Sequence, residues 1–190
     1  MTDNKTLKAI KPAVTVEQIT QSLSKPDLND LCDATDAAIE GGGGFGWVKI
    51  PERTMLERYW QGVIAAPTRW LFVARLDGTI CGTTQLILPP QNNEAQGHML
   101  QMTTNFVAPW ARGHGLARML LETVEETGRR EGYAVINLDV RHTMERAITL
   151  YEAMGYVKFG EHPLSARANG ETIPSLYYYK NINPAFFEKT

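Results

Sequence analysis

The chain has 190 residues, with 19 Lys and Arg against 21 Asp and Glu for a formal net charge of −2, and 43% of its residues are hydrophobic. That balance leaves no basic footprint for nucleic acid or an anionic membrane surface, and no apolar run approaches the ~20 residues of a membrane span. The length suits one domain over residues 1–190 with a sizeable core. Two cysteines far apart, Cys32 and Cys81, make neither a disulfide framework nor a zinc spacing and read as small buried hydrophobes. Residues 1–8 lack the apolar core of a secretory signal, so a cytoplasmic protein is expected.

In chain order, residues 6–10 read as a short first strand. Pro12 and the box Thr15-Val16-Glu17-Gln18 then signal a helix, which Pro26 interrupts. From Asp27 to Glu40 the acids Asp27, Asp30, Asp33, Asp36 and Glu40 recur at helical spacing opposite Leu28, Leu31, Cys32, Thr35, Ala38 and Ile39, which predicts a helix with a solvated acidic face and no metal site. Residues 41–47, Gly-Gly-Gly-Gly-Phe-Gly-Trp, lose too much backbone freedom on ordering to make a stable element. They form either a plain connector or a flap whose apolar tip, Phe45 and Trp47, meets substrate. A helix over residues 51–65 should bury Met55, Leu56, Tyr59 and Val63.

Residues 70–88 hold a hairpin signal, because two β-rich runs flank Asp77-Gly78, a pair suited to a type I′ turn. Residues 89–96 are a loop and 98–107 a further strand. A helix over 113–131 buries Leu116, Met119, Leu120, Thr123, Val124 and Thr127 and stops at Gly132. Residues 133–140 make an apolar strand of the kind buried on both faces. A helix over 144–154, with Ala147, Ile148, Tyr151 and Met154 on one side, ends at Gly155. Strands over 156–159 and 176–180, separated by a polar loop over 165–174, close the chain. The order implies an α/β domain with a mixed sheet.

At the junction of strand and helix, Arg112, Gly113, His114, Gly115, Leu116 and Ala117 can turn successive backbone N–H groups toward one point. The following helix adds its unpaired first amides and the positive end of its dipole. Gly115 permits close approach of a phosphate and Arg112 adds a permanent charge. No Lys-Ser or Lys-Thr pair follows the glycines, which speaks against a nucleoside triphosphate. On spacing alone, a capped turn that merely needs a glycine is an equal alternative.

Here the sequence resembles the GCN5-related N-acetyltransferases, whose signature Q/R-x-x-G-x-G/A is matched in register by Arg112, Gly115 and Ala117. A second segment, Ala147 to Tyr156, resembles the A-x-x-L-Y-x-x-x-G-F segment late in these enzymes, with Glu145 where many members have Asn. The resemblance implies a mixed, mostly antiparallel sheet flanked by helices, and acetyl-CoA as cofactor with its pyrophosphate in the cradle. Phe106, Val107, Arg112, Gly113, His114, Gly115, Leu116, Ala117 and Arg118 would then be cofactor contacts. It also implies that Tyr151 stands near the cofactor's sulfur and protonates the departing thiolate, a role open to a phenol that is neutral at pH 7.

Many relatives carry a glutamate base on the strand before the cradle, but residues 98–107 contain no acid. Asp139, alone in Ile136-Asn137-Leu138-Asp139-Val140, is the remaining candidate, since a buried carboxylate is costly unless paired or used and burial makes it a stronger base. Its alternative is a structural ion pair or hydrogen bond. His98, His142 and Gln101 acting through water are the other base candidates, and Gln101 and Asp139 join Phe45 and Trp47 as expected substrate contacts. Short likenesses at residues 40–46, at Leu138-Asp139 and at residues 174–180 are similar to the tabtoxin-resistance acetyltransferases, implying an amino-acid-like amine and a role in toxin or antibiotic resistance. The resulting expectation is direct acetyl transfer to the primary amine of a small molecule, by a monomer or homodimer. A non-catalytic acyl-CoA sensor and a peptide N-terminal acetyltransferase are the alternatives.

Overall fold

The computed structural model describes residues 11–43 and 46–188. Seven strands make one sheet: β1 (Val14–Ile19), β2 (Arg69–Leu76), β3 (Thr79–Ile87), β4 (Met99–Val107), β5 (Val135–Arg141), β6 (Val157–Ala168) and β7 (Glu171–Asn181). They lie in the order β1-β2-β3-β4-β5-β7-β6, and every pair is antiparallel except β4 with β5. The helices are α1 (Lys25–Glu40), α2 (Arg53–Ala65), α3 (Leu116–Arg130) and α4 (Glu145–Ala153).

The segment expected to start a helix at residues 15–18 is instead β1. Its apolar residues alternate, and all six residues find partners along β2, which outweighs a local capping signal. The turn of the β2–β3 hairpin clamps its start, with Ala13 N donating to Asp77 Oδ1 and Asp77 N to Ala13 O, both at 2.8 Å. The strand expected over residues 6–10 lies outside the described residues. Pro26 does not interrupt a helix but sits in the first turn of α1, where its missing N–H costs nothing, behind Ser24, whose Oγ accepts from Asp27 N at 3.2 Å.

The acidic face of α1 is partly engaged rather than simply solvated. Arg75 bonds Asp27 at 2.6 Å and Glu17 at 2.7 Å, and Arg53 bonds Asp33 at 2.7 Å. In α2 the buried place expected for Met55 is taken by Trp60; Met55 is 54% exposed, while Trp60 Nε1 donates to Thr35 Oγ1 at 3.2 Å.

The Asp77-Gly78 turn is as expected, with both residues at positive φ (48° and 88°), the requirement of a type I′ turn. The polar loop expected over residues 165–174 is instead the tip of a second long hairpin. Asn169 and Gly170 repeat the same turn conformation at φ 51° and 84°, so β6 and β7 extend much further than expected.

The sheet separates two apolar layers. On one side α1 and α2 pack Leu31, Ile39, Leu56 and Trp60 against Leu71, Val73, Ile80 and Phe106. On the other, α3 and α4 pack Leu116, Leu120, Val124 and Tyr151 against Phe72, Leu100, Met102, Ile136 and Leu138. The first layer contains no residue of β5, and this exposes one face of that strand. β4 and β5 pair only at Met99↔Val135, Leu100↔Ile136 and Gln101↔Asn137, after which the strands part. The sheet therefore forks where β4 runs toward α3.

Candidate active site

The fork exposes an edge of β4, and β4 itself carries an irregularity there. Thr104 stands at φ 54°, and the register against β3 passes from Gln85↔Thr103 to Thr83↔Phe106, so β4 holds one extra residue. Such a bulge reverses which face each later side chain meets. Met102 faces the α3–α4 layer, whereas Phe106, four residues on, faces α1 and α2. Asn105 is thereby turned toward α4, where its Nδ2 donates to Tyr151 Oη at 3.0 Å. Its Oδ1 is buried with no partner among the described residues. Burial pushes the Tyr151 phenol up, the Asn105 bond opposes this, and the Asp139 carboxylate adds to it. Tyr151 is therefore a neutral phenol at physiological pH. Because it accepts from Asn105, its own hydrogen is left for another acceptor.

The loop before α3 places the cradle at the end of the same strand. Gly113 and Gly115 have φ 87° and 78°, in a region that favours glycine, and a Cβ at either would stand in open space rather than against protein. α3 has no side-chain cap, and its first backbone bond runs from Met119 N to Gly115 O at 3.1 Å. Among the described residues, the amides of Gly113, His114, Gly115, Leu116, Ala117 and Arg118 have no hydrogen-bond partner. Six consecutive unpaired donors at a helix N-terminus beside the exposed Arg112 fit a pyrophosphate. The His114 ring, 3.1 Å from Ala111 O, braces the loop. Phe106 and Val107 are buried, so toward a ligand they can offer backbone alone.

A cavity of about 250 Å³ fills the fork. β4 lines it with Thr103, Thr104 and Asn105, β5 with Asp139 and Arg141, α4 with Ala147 and Tyr151, and the second hairpin with Ser165, Ala166 and Ser175. Tyr151 and Asp139, from separate segments, are thus brought together. Asp139 is nevertheless exposed, contrary to the expectation of a strand buried on both faces, because the α1–α2 layer stops short of β5. Burial therefore cannot be what strengthens it as a base.

The remaining expected site residues scatter. Gln101 sits at the last β4–β5 pair and does not line the cavity. Trp47 packs edge-on against Tyr59 with ring centroids 5.0 Å apart, while Gly46 reaches the cavity; Phe45 lies outside the described residues. His98 stacks on Phe186 at 5.3 Å, and His142 is exposed beyond the end of β5. Burial pushes the Cys32 and Cys81 thiols up to about 11, which removes them as nucleophiles. Asn105 and Arg141 escaped sequence reasoning. Nothing local marks Asn105 because the bulge decides its direction, whereas Asn169-Gly170 could have revealed the hairpin behind Ser165 and Ser175.

Residues 39–156 match the model of the acetyltransferase (GNAT) family. The chain belongs to that family. It is 59% identical over 133 residues, 70% of this chain and 79% of the relative, to an uncharacterised N-acetyltransferase from the hisH–hisA intergenic region of Azospirillum brasilense. It is 34% identical over 90 residues to rat N-acetyltransferase 8, matching 47% of this chain but only 40% of that longer protein. Two solved structures share the fold. YncA of Salmonella typhimurium, determined with its cofactor acetyl-CoA, has a TM-score of 0.72 at 14% identity, over 90% of this chain and 95% of its own. An N-acetyltransferase from Staphylococcus aureus Mu50 has a TM-score of 0.74 at 17% identity, over 90% and 99%. Membership makes this GNAT protein an acetyltransferase with acetyl-CoA as donor, and the unpaired amides after Arg112 fit that donor's pyrophosphate.

Proposed function

We propose that the protein moves the acetyl group of acetyl-CoA directly to the primary amine of a small molecule, with Asp139 taking the amine proton and Tyr151 supplying one to sulfur. The observation that carries this reading is the meeting of exposed Asp139 and buried, neutral Tyr151 in one cavity at the fork. In balance, a C–N bond forms as the C–S bond breaks, the ammonium group loses protons to Asp139 and solvent, the thiolate gains one from the Tyr151 Oη, and exchange with solvent then reprotonates the phenol and frees Asp139 of its proton. Acetyl-CoA supplies the activated thioester carbonyl. The residues of this chain do the rest: residues 112–118 anchor the pyrophosphate and the free edge of β4 offers N–H donors to the developing oxyanion. Asn105 holds the phenol in place.

The small-molecule reading is supported by the size of the cavity, about 250 Å³ between β4, β5, α4 and the second hairpin, which suits a compact acceptor. Incubating the protein with acetyl-CoA and a panel of primary amines, with mass-spectrometric detection of amide and stoichiometric free CoA, tests it. Tight acetyl-CoA binding with no amide from any amine would leave a binding module, and acetylation confined to peptide N-termini would replace the substrate class.

A further inference from the structure

Among the described residues lining the cavity only two are formally charged, and they have opposite sign: Asp139 and Arg141. They are two positions apart on β5, so both project from the same face, separated by about 7 Å along the strand. That face is opposite the one on which Ile136, Leu138 and Val140 meet α3 and α4. The strand also orders them. The last pair with β4 is at Asn137, Asp139 follows close enough for its charge to act on the Tyr151 phenol, and Arg141 comes next. Beyond it the chain turns at His142, whose N–H donates to Pro174 O at 3.0 Å. The reacting end of the cavity is thus the anionic one, and a cation stands one step further out.

We infer that the acceptor bears a carboxylate close to its amine, and that Arg141 holds this carboxylate while Asp139 faces the amine. The inference rests on the acetyl-transfer reading above and narrows its substrate to free amino acids or near analogues. A guanidinium presents two parallel N–H donors that match a carboxylate. The described lining carries one charge of each sign, in the order that a zwitterion's ammonium and carboxylate would meet them. A diamine would set its second cation against Arg141, and a peptide N-terminus would offer only an amide carbonyl there. Thr103, Ser165 and Ser175 supply neutral hydrogen-bonding groups to the rest of the wall.

The test is calorimetry on the CoA-saturated protein with a panel of free amino acids, their methyl esters and the matching decarboxylated amines. At least one amino acid should bind ~10-fold or more tighter than its ester and its amine, the usual scale of a charge-assisted contact. Arg141→Gln should abolish that preference with CoA affinity unchanged, and Arg141→Lys should restore part of it. Equal binding of the three forms, no binding of any amino acid, or an undiminished preference in Arg141→Gln would overturn the inference. So would a loss of CoA affinity in Arg141→Gln, which would assign Arg141 to the cofactor. Should Arg141→Gln melt early, Arg141→Lys decides by the same comparison. Arg141-dependent binding without acetyl transfer would instead sink the transfer reading alone, and transfer indifferent to the carboxylate would sink the subsite alone.

Discussion

Tyr151 and Asp139 divide the proton traffic, and each makes a separable prediction. Tyr151→Phe should lower kcat roughly tenfold or more while leaving the Kd for acetyl-CoA within about twofold, because a proton donated only as the C–S bond breaks is not felt in binding. Equal turnover where chemistry limits the rate would exclude the role. Burial raises this phenol above the ordinary tyrosine range, so the wild-type rate should show no alkaline fall from Tyr151 up to about pH 10. Asp139→Asn keeps the shape of the side chain and should reduce turnover by ~10²-fold at neutral pH. A variant that keeps its rate would move the base to an ordered water or His142. At this scale the sequence was uneven. Tyr151 could be found because the segment Ala147 to Tyr156 resembles the family's late motif, helix spacing alone giving no more than a core residue, and Asp139 because it interrupts an apolar run. Asn105 and Arg141 could not, since their directions depend on a bulge and on where a helical layer ends.

Among the elements, α3 with its loop is the most constrained. Gly115→Glu places a side chain at φ 78°, a strained conformation, and sets a carboxylate among the unpaired amides. Its Kd for acetyl-CoA should rise by roughly tenfold or more in calorimetry, and unchanged affinity in a folded variant would remove the cradle. At the other edge of the sheet, the half-buried Arg75 ties β1, α1 and the first hairpin together through Glu17, Asp27 and Gly78 O. Arg75→Ala should cost about 2 kcal/mol in denaturant titration, discounted from a fully buried pair because Glu17 is solvent-exposed. The Arg75 bond holds Asp27 below the usual carboxylate range, so its stabilisation is complete above about pH 4 and is lost as the pH falls through the lowered value. Elements with strong local signals, the Asp77-Gly78 hairpin and α3, were legible. β1 was not, because its identity lies in the partner strand rather than in its own six residues.

For the molecule as a whole, the α3–α4 layer is threaded by Tyr151, Tyr156 and Tyr178, with ring centroids 5.7 Å and 6.4 Å from that of Tyr151. Burial raises all three phenols, Tyr178 to about 12 with Glu152 adding to the shift. Below pH 10 native and unfolded chains are equally protonated at these groups. Above it the unfolded chain ionises first, so stability should fall by up to roughly 1.4 kcal/mol per pH unit for each tyrosine. Melting curves between pH 8 and pH 11 check this, and a flat profile would show that the phenols ionise in place. An α/β domain with a mixed sheet was readable from the order of elements, but the sheet's most consequential trait was not: its seven strands are sewn together at one point by only three residue pairs. Between β1 to β4 and β5 to β7 the backbone ladder is thus that short, and the α3–α4 layer packs across the seam. The amides of Thr103 to Asn105, lacking a neighbour on β5, should exchange with deuterated solvent faster than those of Met99 to Gln101, and a ligand lying in the fork should slow them by bridging the two halves as a missing strand would.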